Sequence, residues 1–189
     1  MSEELLLWVD LETEGLYPHP PKNHRIFEFG MAVTSLDLEI KSSMAWQVYY
    51  PRLKHDELDD FIFNMHDKNG LLEDMINKGV YLPDLNAEVM MVLEDWGIPM
   101  DRTVPLCGNS IRMDREFISV HMPQLDAGLS YRIIDVSSFK ETFRRYRPEG
   151  YEDFRSRYTE EDKKHRVLDD IRWSIDEYEF YLNEMGMIK

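Results

Sequence analysis

Apolar and polar residues follow one another along this chain in a pattern that predicts strands first and helices later. Residues 5–11 form a short apolar run that ends at acidic residues and Gly15, which is typical of a buried strand. Extended structure is also expected at 25–34 and at 44–50, where valine and tyrosine favour strands. This opening part is therefore predicted to be an antiparallel meander.

After residue 56 the apolar residues recur at helical spacing, with two further short strands among the helices. Residues 17–23 contain three prolines and are expected to be a loop, and the polar segment 149–164 is expected to be mobile. This order of elements predicts an α/β fold in which helices flank a mixed five-stranded sheet. The expected helices lie at 56–65, 70–78, 84–96, 113–121, 137–145 and 166–184, and the later strands at 103–108 and 131–136.

Composition limits the kind of protein that this can be. The chain has 189 residues, of which 43% are hydrophobic and 31% charged, as expected for one soluble globular domain over 1–189. No apolar run reaches the ~18 residues of a membrane helix, and the acidic start argues against a signal peptide. Cys107 is the single cysteine, which excludes an intramolecular disulfide and fits a reducing cytoplasm.

The formal net charge of −15 argues against a protein that grips a long duplex or a long single strand. Such binding normally relies on lysine and arginine side chains that neutralise phosphates. Two interpretations remain open at this point. Either the protein does not touch nucleic acid, or it touches a few phosphates while metal ions supply the positive charge.

Acidic residues in three short contexts favour the second interpretation. Asp10 and Glu12 are separated by one residue, so a strand would place both carboxylates on one face. There they repel one another unless a cation lies between them. Asp114 follows a predicted strand, and Asp170 lies near the start of the last predicted helix, just after His165. Oxygen ligands select hard divalent cations such as Mg²⁺ or Mn²⁺, and a histidine beside them can take the proton of an attacking water.

Each of these residues, taken singly, has an ordinary structural explanation. Acids are common at solvated strand ends, and Asp114 could simply complement the dipole at a helix N-terminus. Asp169 and Asp170 are neighbours, and adjacent helical positions point ~100° apart, so one of the two can face a metal ion. The combination is what indicates metal-assisted phosphodiester hydrolysis, with two ions about 4 Å apart acting as a clamp.

The same runs carry a resemblance to a known family. Asp10-Leu11-Glu12, Cys107-Gly108-Asn109-Ser110 followed by Asp114, and His165 followed by Asp170 resemble the three motifs of the DEDDh superfamily of 3′-to-5′ exonucleases, and within it the oligoribonuclease family. The runs Tyr131-Arg132 with Asp135-Val136-Ser137 and Leu168 to Arg172 extend the similarity, which covers nearly the whole chain.

The resemblance implies an RNase H-like fold and a catalytic centre with two divalent metal ions, Mg²⁺ or Mn²⁺. The family's spacing selects Asp170 rather than Asp169 as a ligand. Carried over residue by residue, the metal ligands would be Asp10, Glu12, Asp114 and Asp170, and His165 would be the general base.

The resemblance also implies how a very short RNA would be held. Leu16 and Phe61 match residues that wedge the two bases of a dinucleotide, and Tyr131 matches a tyrosine that reaches into a partner subunit, which implies a homodimer. A cap that closes on a terminal phosphate would exclude long strands, and an arginine fork suits such a phosphate. The matching cap residues are His66, Ser110, Arg132 and Ser137.

Two departures and several alternatives accompany this assignment. Phe61 stands where the family usually has tryptophan, and Glu14 stands where it usually has threonine. The structural alternatives are plain helix packing for Phe61, a core role for Leu16, and a salt bridge from Arg132 to Asp135 or another surface acid. The expected activity is release of nucleoside 5′-monophosphates from short RNA. The alternatives are a single-stranded DNA exonuclease of the same superfamily and a non-catalytic binding module.

Overall fold

A computed structural model describes residues 4–15, 24–157 and 165–188, and it places a five-stranded sheet at the centre of the molecule. The spatial order is β3-β2-β1-β4-β5. β1 pairs antiparallel with β2, as β2 does with β3, whereas β4 lies parallel to β1 and β5 parallel to β4. The predicted meander and the predicted mixed sheet are confirmed. The strands are β1 Leu6–Thr13, β2 Ile26–Thr34, β3 Ile40–Gln47, β4 Leu106–Gly108 and β5 Ile133–Asp135.

Helices cover both faces of this sheet. Since side chains alternate along a strand, Leu7 and Val9 of β1 join one apolar cluster, and Leu6 and Trp8 join another on the opposite face. The first cluster also takes residues of α3, α4 and α5, and the second takes residues of α6 and α8. The helices are α1 Asp60–Lys68, α2 Leu71–Asn77, α3 Leu82–Asp95, α4 Ile111–His121, α5 Pro123–Gly128, α6 Val136–Tyr146, α7 Pro148–Arg157 and α8 Val167–Glu184.

The segment expected to be mobile is in fact partly helical. Residues 149–157 lie within α7, where Phe154 is 1% exposed and its ring centroid lies 5.3 Å from that of Phe180 and 6.1 Å from that of Trp173. One aromatic anchor is enough to hold this short helix against α8, but it leaves no apolar periodicity to read in the sequence. The prediction was therefore wrong for 149–157, while 158–164 and the predicted loop at 17–23 lie outside the described residues.

The third strand differs from its prediction in position. It was expected at 44–50 but runs from Ile40 to Gln47, and Val48 forms an isolated bridge with Val80 instead. Pairing with β2 sets these limits, since Ile40 lies opposite Thr34 and Gln47 opposite Glu28. Tertiary pairing thus overrides the strand preference of residues 48–50.

Two further expectations bear on the surface and the core. Cys107 is a free, buried cysteine in β4. Among the described ranges, no helix combines the length and the apolar character that a membrane crossing requires.

Candidate active site

The first strand carries two acids into one cleft. Asp10 and Glu12 alternate with Leu11 along β1, so both lie on the face that also carries Trp8, and both line the cleft. The cleft holds about 280 Å³ and is lined mainly by polar groups. Glu12 is 8% exposed, which is little for a carboxylate whose nearest basic atom among the described residues is His66 Nε2 at 3.8 Å. β1 therefore delivers a pair of acids to the edge of the core.

The fourth helix brings a third acid to the same strand. Asp114 lies in the first turn of α4, and its Oδ1 accepts a hydrogen bond from the Leu11 N–H at 3.1 Å. Gly108 makes this approach possible, because a Cβ at that position would lie 2.8 Å from the carbonyl oxygen of Val9. The backbone between Asp10 and Glu12 thus fixes the third carboxylate.

The last helix supplies the remaining two groups. His165 precedes α8, and Asp170 lies in the first turn of that helix. Ligand atoms of Glu12, His165 and Asp170 all lie within 4.8 Å of one another. Asp170 lines the cleft, whereas Asp169 is exposed. The structure therefore brings Asp170 to Glu12, in line with the ligand selected by the family's spacing.

Electrostatics in the cleft fit a divalent cation. Burial, followed by repulsion from Asp114 and Asp170, holds the pKa of Asp10 well above its usual range. Burial and the nearby Asp170 raise the pKa of Glu12 to about 8, and burial raises the pKa of Asp114 to about 7. Buried carboxylates that repel one another are costly unless positive charge compensates them. The donors are oxygens with one imidazole, which suits Mg²⁺ or Mn²⁺.

Two predicted phosphate-cap residues also reach this cleft. Ser110 precedes α4 and Ser137 lies in the first turn of α6, and their hydroxyl oxygens are 2.9 Å apart. The Ser137 hydroxyl also accepts from the Ser110 N–H at 2.8 Å and donates to Asn109 Oδ1 at 3.2 Å. Two helix N-termini and two hydroxyls therefore converge on the cleft that holds Asp10 and Glu12.

The other predicted substrate residues lie in different surroundings. Phe61 and Tyr131 are 71% and 77% exposed, and the Arg132 guanidinium stacks on the Tyr131 ring with its carbon 4.7 Å from the centroid. Within the described ranges Arg132 makes no ion pair, so the salt bridge to Asp135 that sequence left open is not formed there. Leu16 lies outside the described residues.

His66 is located behind Glu12 rather than on the open side of the cleft. Its side chain is fully buried, its Nε2 lies 3.8 Å from Glu12 Oε2, and its ring packs edge-on against Phe27 at 5.5 Å. Burial lowers the pKa of His66 to about 4, so the imidazole is neutral at physiological pH. Its role in the phosphate cap stays a prediction.

Glu14, the acid that departs from the family pattern, turns away from the cleft. Its Oε2 accepts from the Arg25 N–H at 3.1 Å and pairs with Arg25 Nε at 3.3 Å. Among the described residues it lines no part of the cleft that holds Asp10 and Glu12. Arg25 therefore pairs with this additional acid outside the cleft.

Sequence reasoning missed one cation in the cleft. The Lys140 ammonium lies 3.0 Å from Glu177 Oε2 and 3.3 Å from Asn109 Oδ1, and it lines the cleft beside Ser137. A signal was available, because residues three apart in a helix share a face and Lys140 follows Ser137 at that spacing. Lys140 offsets the charge of the buried Glu177 and connects it to the serine pair.

Comparison with known proteins places the chain in a family. The family model described as Exonuclease (RNase_T) matches residues 7–178. A protein from Vibrio campbellii named oligoribonuclease is 39% identical over 181 residues, which cover 95% of this chain and 94% of that protein. An oligoribonuclease from an Azoarcus species is 36% identical over 177 residues, covering 93% of this chain and 92% of that one.

Solved structures share the fold at low sequence identity. A product-bound exonuclease I superposes with a TM-score of 0.70 at 12% identity, covering 96% of this chain. Exonuclease I from Methylocaldum szegediense superposes with a TM-score of 0.69 at 17% identity, covering 96% of this chain. The chain spans 44% and 40% of the lengths of those two proteins. This likeness confirms the predicted RNase H-like fold.

The predicted resemblance is therefore confirmed at two levels. The family match covers most of the chain, and the named relatives align over nearly their whole lengths as well as over nearly all of this one. The chain belongs to the exonuclease family and, within it, to the oligoribonucleases.

Proposed function

We propose that this oligoribonuclease relative is a 3′-to-5′ exoribonuclease that hydrolyses very short RNA, dinucleotides included, to nucleoside 5′-monophosphates. The observation that carries the proposal is the convergence of Glu12, His165 and Asp170, whose ligand atoms lie within 4.8 Å of one another. The family match over 7–178 supports treating residues 1–189 as one exonuclease domain.

The proposed ligands of two divalent ions, Mg²⁺ or Mn²⁺, are the three carboxylates that line the cleft and a fourth in the first turn of α4. Bound there, such ions would supply a polarised water and would stabilise charge on the departing 3′ oxygen. His165 is exposed at the mouth of the cleft and accepts the proton of the attacking water. The ligands in this proposal are Asp10, Glu12, Asp114 and Asp170.

Preference for short substrates rests on the size and charge of the site. A cleft of about 280 Å³ in a protein with a net charge of −15 offers little to the backbone of a long strand. The hydroxyls of Ser110 and Ser137 and the ammonium of Lys140 line that cleft and suit a terminal phosphate. Arg132 and His66 complete the proposed cap, and Phe61 and Leu16 are the proposed base contacts.

A homodimer is part of the proposal. Tyr131 is 77% exposed and carries the stacked Arg132 with it, which suits a side chain that reaches into a second copy. Sedimentation of the wild type should show a dimer, and Tyr131→Ala should weaken activity more on diribonucleotide than it weakens Mn²⁺ binding. A monomeric and fully active wild type would contradict this part. A cytoplasmic location stays a prediction.

A time course separates this function from its alternatives. The substrates are a 5′-phosphorylated diribonucleotide, a heptaribonucleotide and single-stranded DNA of both lengths, with Mn²⁺ present and Asp10→Ala as the control. Fast cleavage of the diribonucleotide alone supports the proposal. Preference for DNA identifies a DNA exonuclease, and no turnover together with a silent Mn²⁺ titration identifies a binding module.

A further inference from the structure

A fifth carboxylate lies beside the metal-binding acids but is used differently. Glu28 of β2 stands directly opposite Glu12 in the β1–β2 ladder and is 1% exposed. It belongs to a strand whose other residues are also buried, with apolar neighbours at Phe27 and Phe29. A buried acid there needs partners of its own, or it adds to the repulsion in the cleft.

The partners of Glu28 come from the segment that carries His165. Arg166 Nε lies 3.1 Å from each carboxylate oxygen of Glu28, and Arg166 Nη2 lies 2.8 Å from Oε1. The Val167 N–H donates to Oε2 at 3.2 Å, and Gln47 Nε2 donates to Oε1 at 2.8 Å. Both oxygens are thus committed to protein donors, which leaves Glu28 outside the ligand set.

This carboxylate also takes the place of a capping side chain for α8. Arg166, the residue at the N-cap position, makes no side-chain hydrogen bond to the helix. Glu28 accepts from the first helical N–H instead, at the end of the helix dipole that favours negative charge. Gly30 allows the helix to come this close, because a Cβ there would lie 2.5 Å from Val167 Cγ2.

Two more contacts hold the residue before the helix. Arg166 Nη2 also binds Asp74 Oδ2 of α2 at 3.0 Å, and Asn69 Nδ2, just after α1, donates to the carbonyl oxygen of His165 at 2.7 Å. His165 itself has φ 50°, a left-handed conformation that a residue with a Cβ adopts only when its surroundings impose it. The imposed turn directs the chain into the helix that bears Asp170.

We propose that Glu28 and Arg166 are positioning residues that hold His165 against Glu12 and Asp170 without touching substrate or metal. The inference rests on the proposed function for its kinetic consequence. Buried ion pairs contribute little net stability compared with apolar residues of similar size, whereas they fix geometry well when the guanidinium fork is bidentate. The fork ties β2, α2 and α8 together at the residue that directly follows His165.

The first test is Arg166→Lys, which keeps the positive charge beside Glu28 but loses the fork. We expect kcat on diribonucleotide to fall about 10- to 100-fold while KM changes less than about twofold. Arg115→Lys is the matched control, because Arg115 is also half-buried and also binds a carboxylate, that of Asp126, with the Ser130 carbonyl oxygen in place of a second acid. None of these three residues lines the cleft. An Arg166→Lys enzyme with wild-type kcat would overturn the proposal.

A double-mutant cycle shows whether the effect acts through His165. In a His165→Ala background the Arg166→Lys change should cost no further activity, because the group that it positions is gone. Losses that multiply in full would mean that Arg166 acts elsewhere, and the proposal would fall. Asn69→Asp can replace Arg166→Lys in a second double-mutant cycle with His165→Ala. It keeps the oxygen that accepts from the Leu71 N–H and removes the N–H that donates to the carbonyl oxygen of His165.

A readout without turnover keeps the inference separate from the proposed function. Mn²⁺ broadens the ring resonances of histidines close to it, and the His165 signal is identified by its loss in His165→Ala. We expect this broadening in the wild type and a clear reduction in folded Arg166→Lys, while calorimetry shows unchanged Mn²⁺ affinity. Equal broadening in both proteins refutes the positioning role. A wild type that broadens but cleaves no RNA refutes the proposed function alone.

Discussion

The N–H of Leu11 donates a hydrogen bond to Oδ1 of Asp114 at 3.1 Å, and this contact joins the first strand to the fourth helix at the residue between Asp10 and Glu12. One oxygen of the third acid is therefore held by the backbone that carries the other two. The three carboxylates form a rigid set, because a shift of α4 would require this part of β1 to shift as well.

Asp114→Asn should abolish activity and leave the fold intact. The amide oxygen can still accept from Leu11, while the lost charge removes several kcal/mol of stabilisation, which corresponds to a fall in kcat of at least about 100-fold. Without metal the variant should melt at a higher temperature than the wild type at pH 8, since a buried repelling charge is gone. Glu116→Gln, two residues further along α4 and paired with Arg112 on the surface, is the control for kinetics and melting.

The stability of the metal-free protein should fall as pH rises. Burial raises the folded-state pKa of Glu12 to about 8 and that of Asp114 to about 7, whereas both titrate near pH 4 when unfolded. The folded state therefore binds more protons between those limits, and the stability that these groups contribute at pH 4 is lost as pH rises through 7 to 8. Thermal melts in EDTA across this range measure the slope.

Divalent metal should reverse that loss, and most strongly at high pH. The ions bind the deprotonated carboxylates, so they compete with protons at low pH and stabilise the folded state by mass action at high pH. We expect the melting temperature to rise more on adding Mn²⁺ at pH 8 than at pH 5. An equal rise at both values would show that Mn²⁺ binds groups other than Glu12 and Asp114.

Asp170→Asn and Asp169→Asn form a matched pair on adjacent positions of α8. Asp170 lines the cleft and Asp169 is exposed, so the first change should remove nearly all activity and weaken Mn²⁺ binding, and the second should change kcat by less than about twofold. Kinetics and calorimetry on both variants decide the assignment. Similar losses in the two would mean that the N-terminus of α8 is oriented differently in the working enzyme.

Phe61 tests the base contact. Its ring is 71% exposed, so Phe61→Ala should leave stability unchanged, while loss of a stacked base costs about 1–3 kcal/mol and raises KM accordingly. Phe61→Trp should lower KM, because it enlarges the stacking surface. Tyr146→Ala, 81% exposed on α6, is the control for removing a surface ring. Unchanged KM in both Phe61 variants would show that Phe61 does not stack on a base of the substrate.

The candidate ligands were predicted partly from periodicity and partly from the resemblance to the exonuclease family. Strand alternation alone puts Asp10 and Glu12 on one face, whereas the choice of Asp170 over Asp169 came from the family's motifs. The opening strands and the long helices follow from the same periodicities. What these patterns predict is which side chains share a face, and not which elements meet.

The side-chain pairs around the site depend on tertiary packing, which a periodic sequence pattern does not encode. Glu28 is the one charged residue of β2, and that exception was a signal, but its pairing with Arg166 depends on how α8 lies across β2. Glu14 departs from the family pattern in the sequence, and its pairing with Arg25 is visible only in the structure. The helix around Phe154 escaped prediction because one buried ring leaves no repeat to recognise.

The parallel pairing of β4 with β1 has a consequence for folding of the enzyme during translation. β1 can form its hairpin with β2 early, but Asp114 reaches Leu11 only after β4 has taken its place, and His165 and Asp170 come with α8. A chain still being translated carries Asp10 and Glu12 for most of its synthesis without the groups that complete them. Ribosome-bound nascent chains should therefore be silent as nucleases until the last helix emerges and docks.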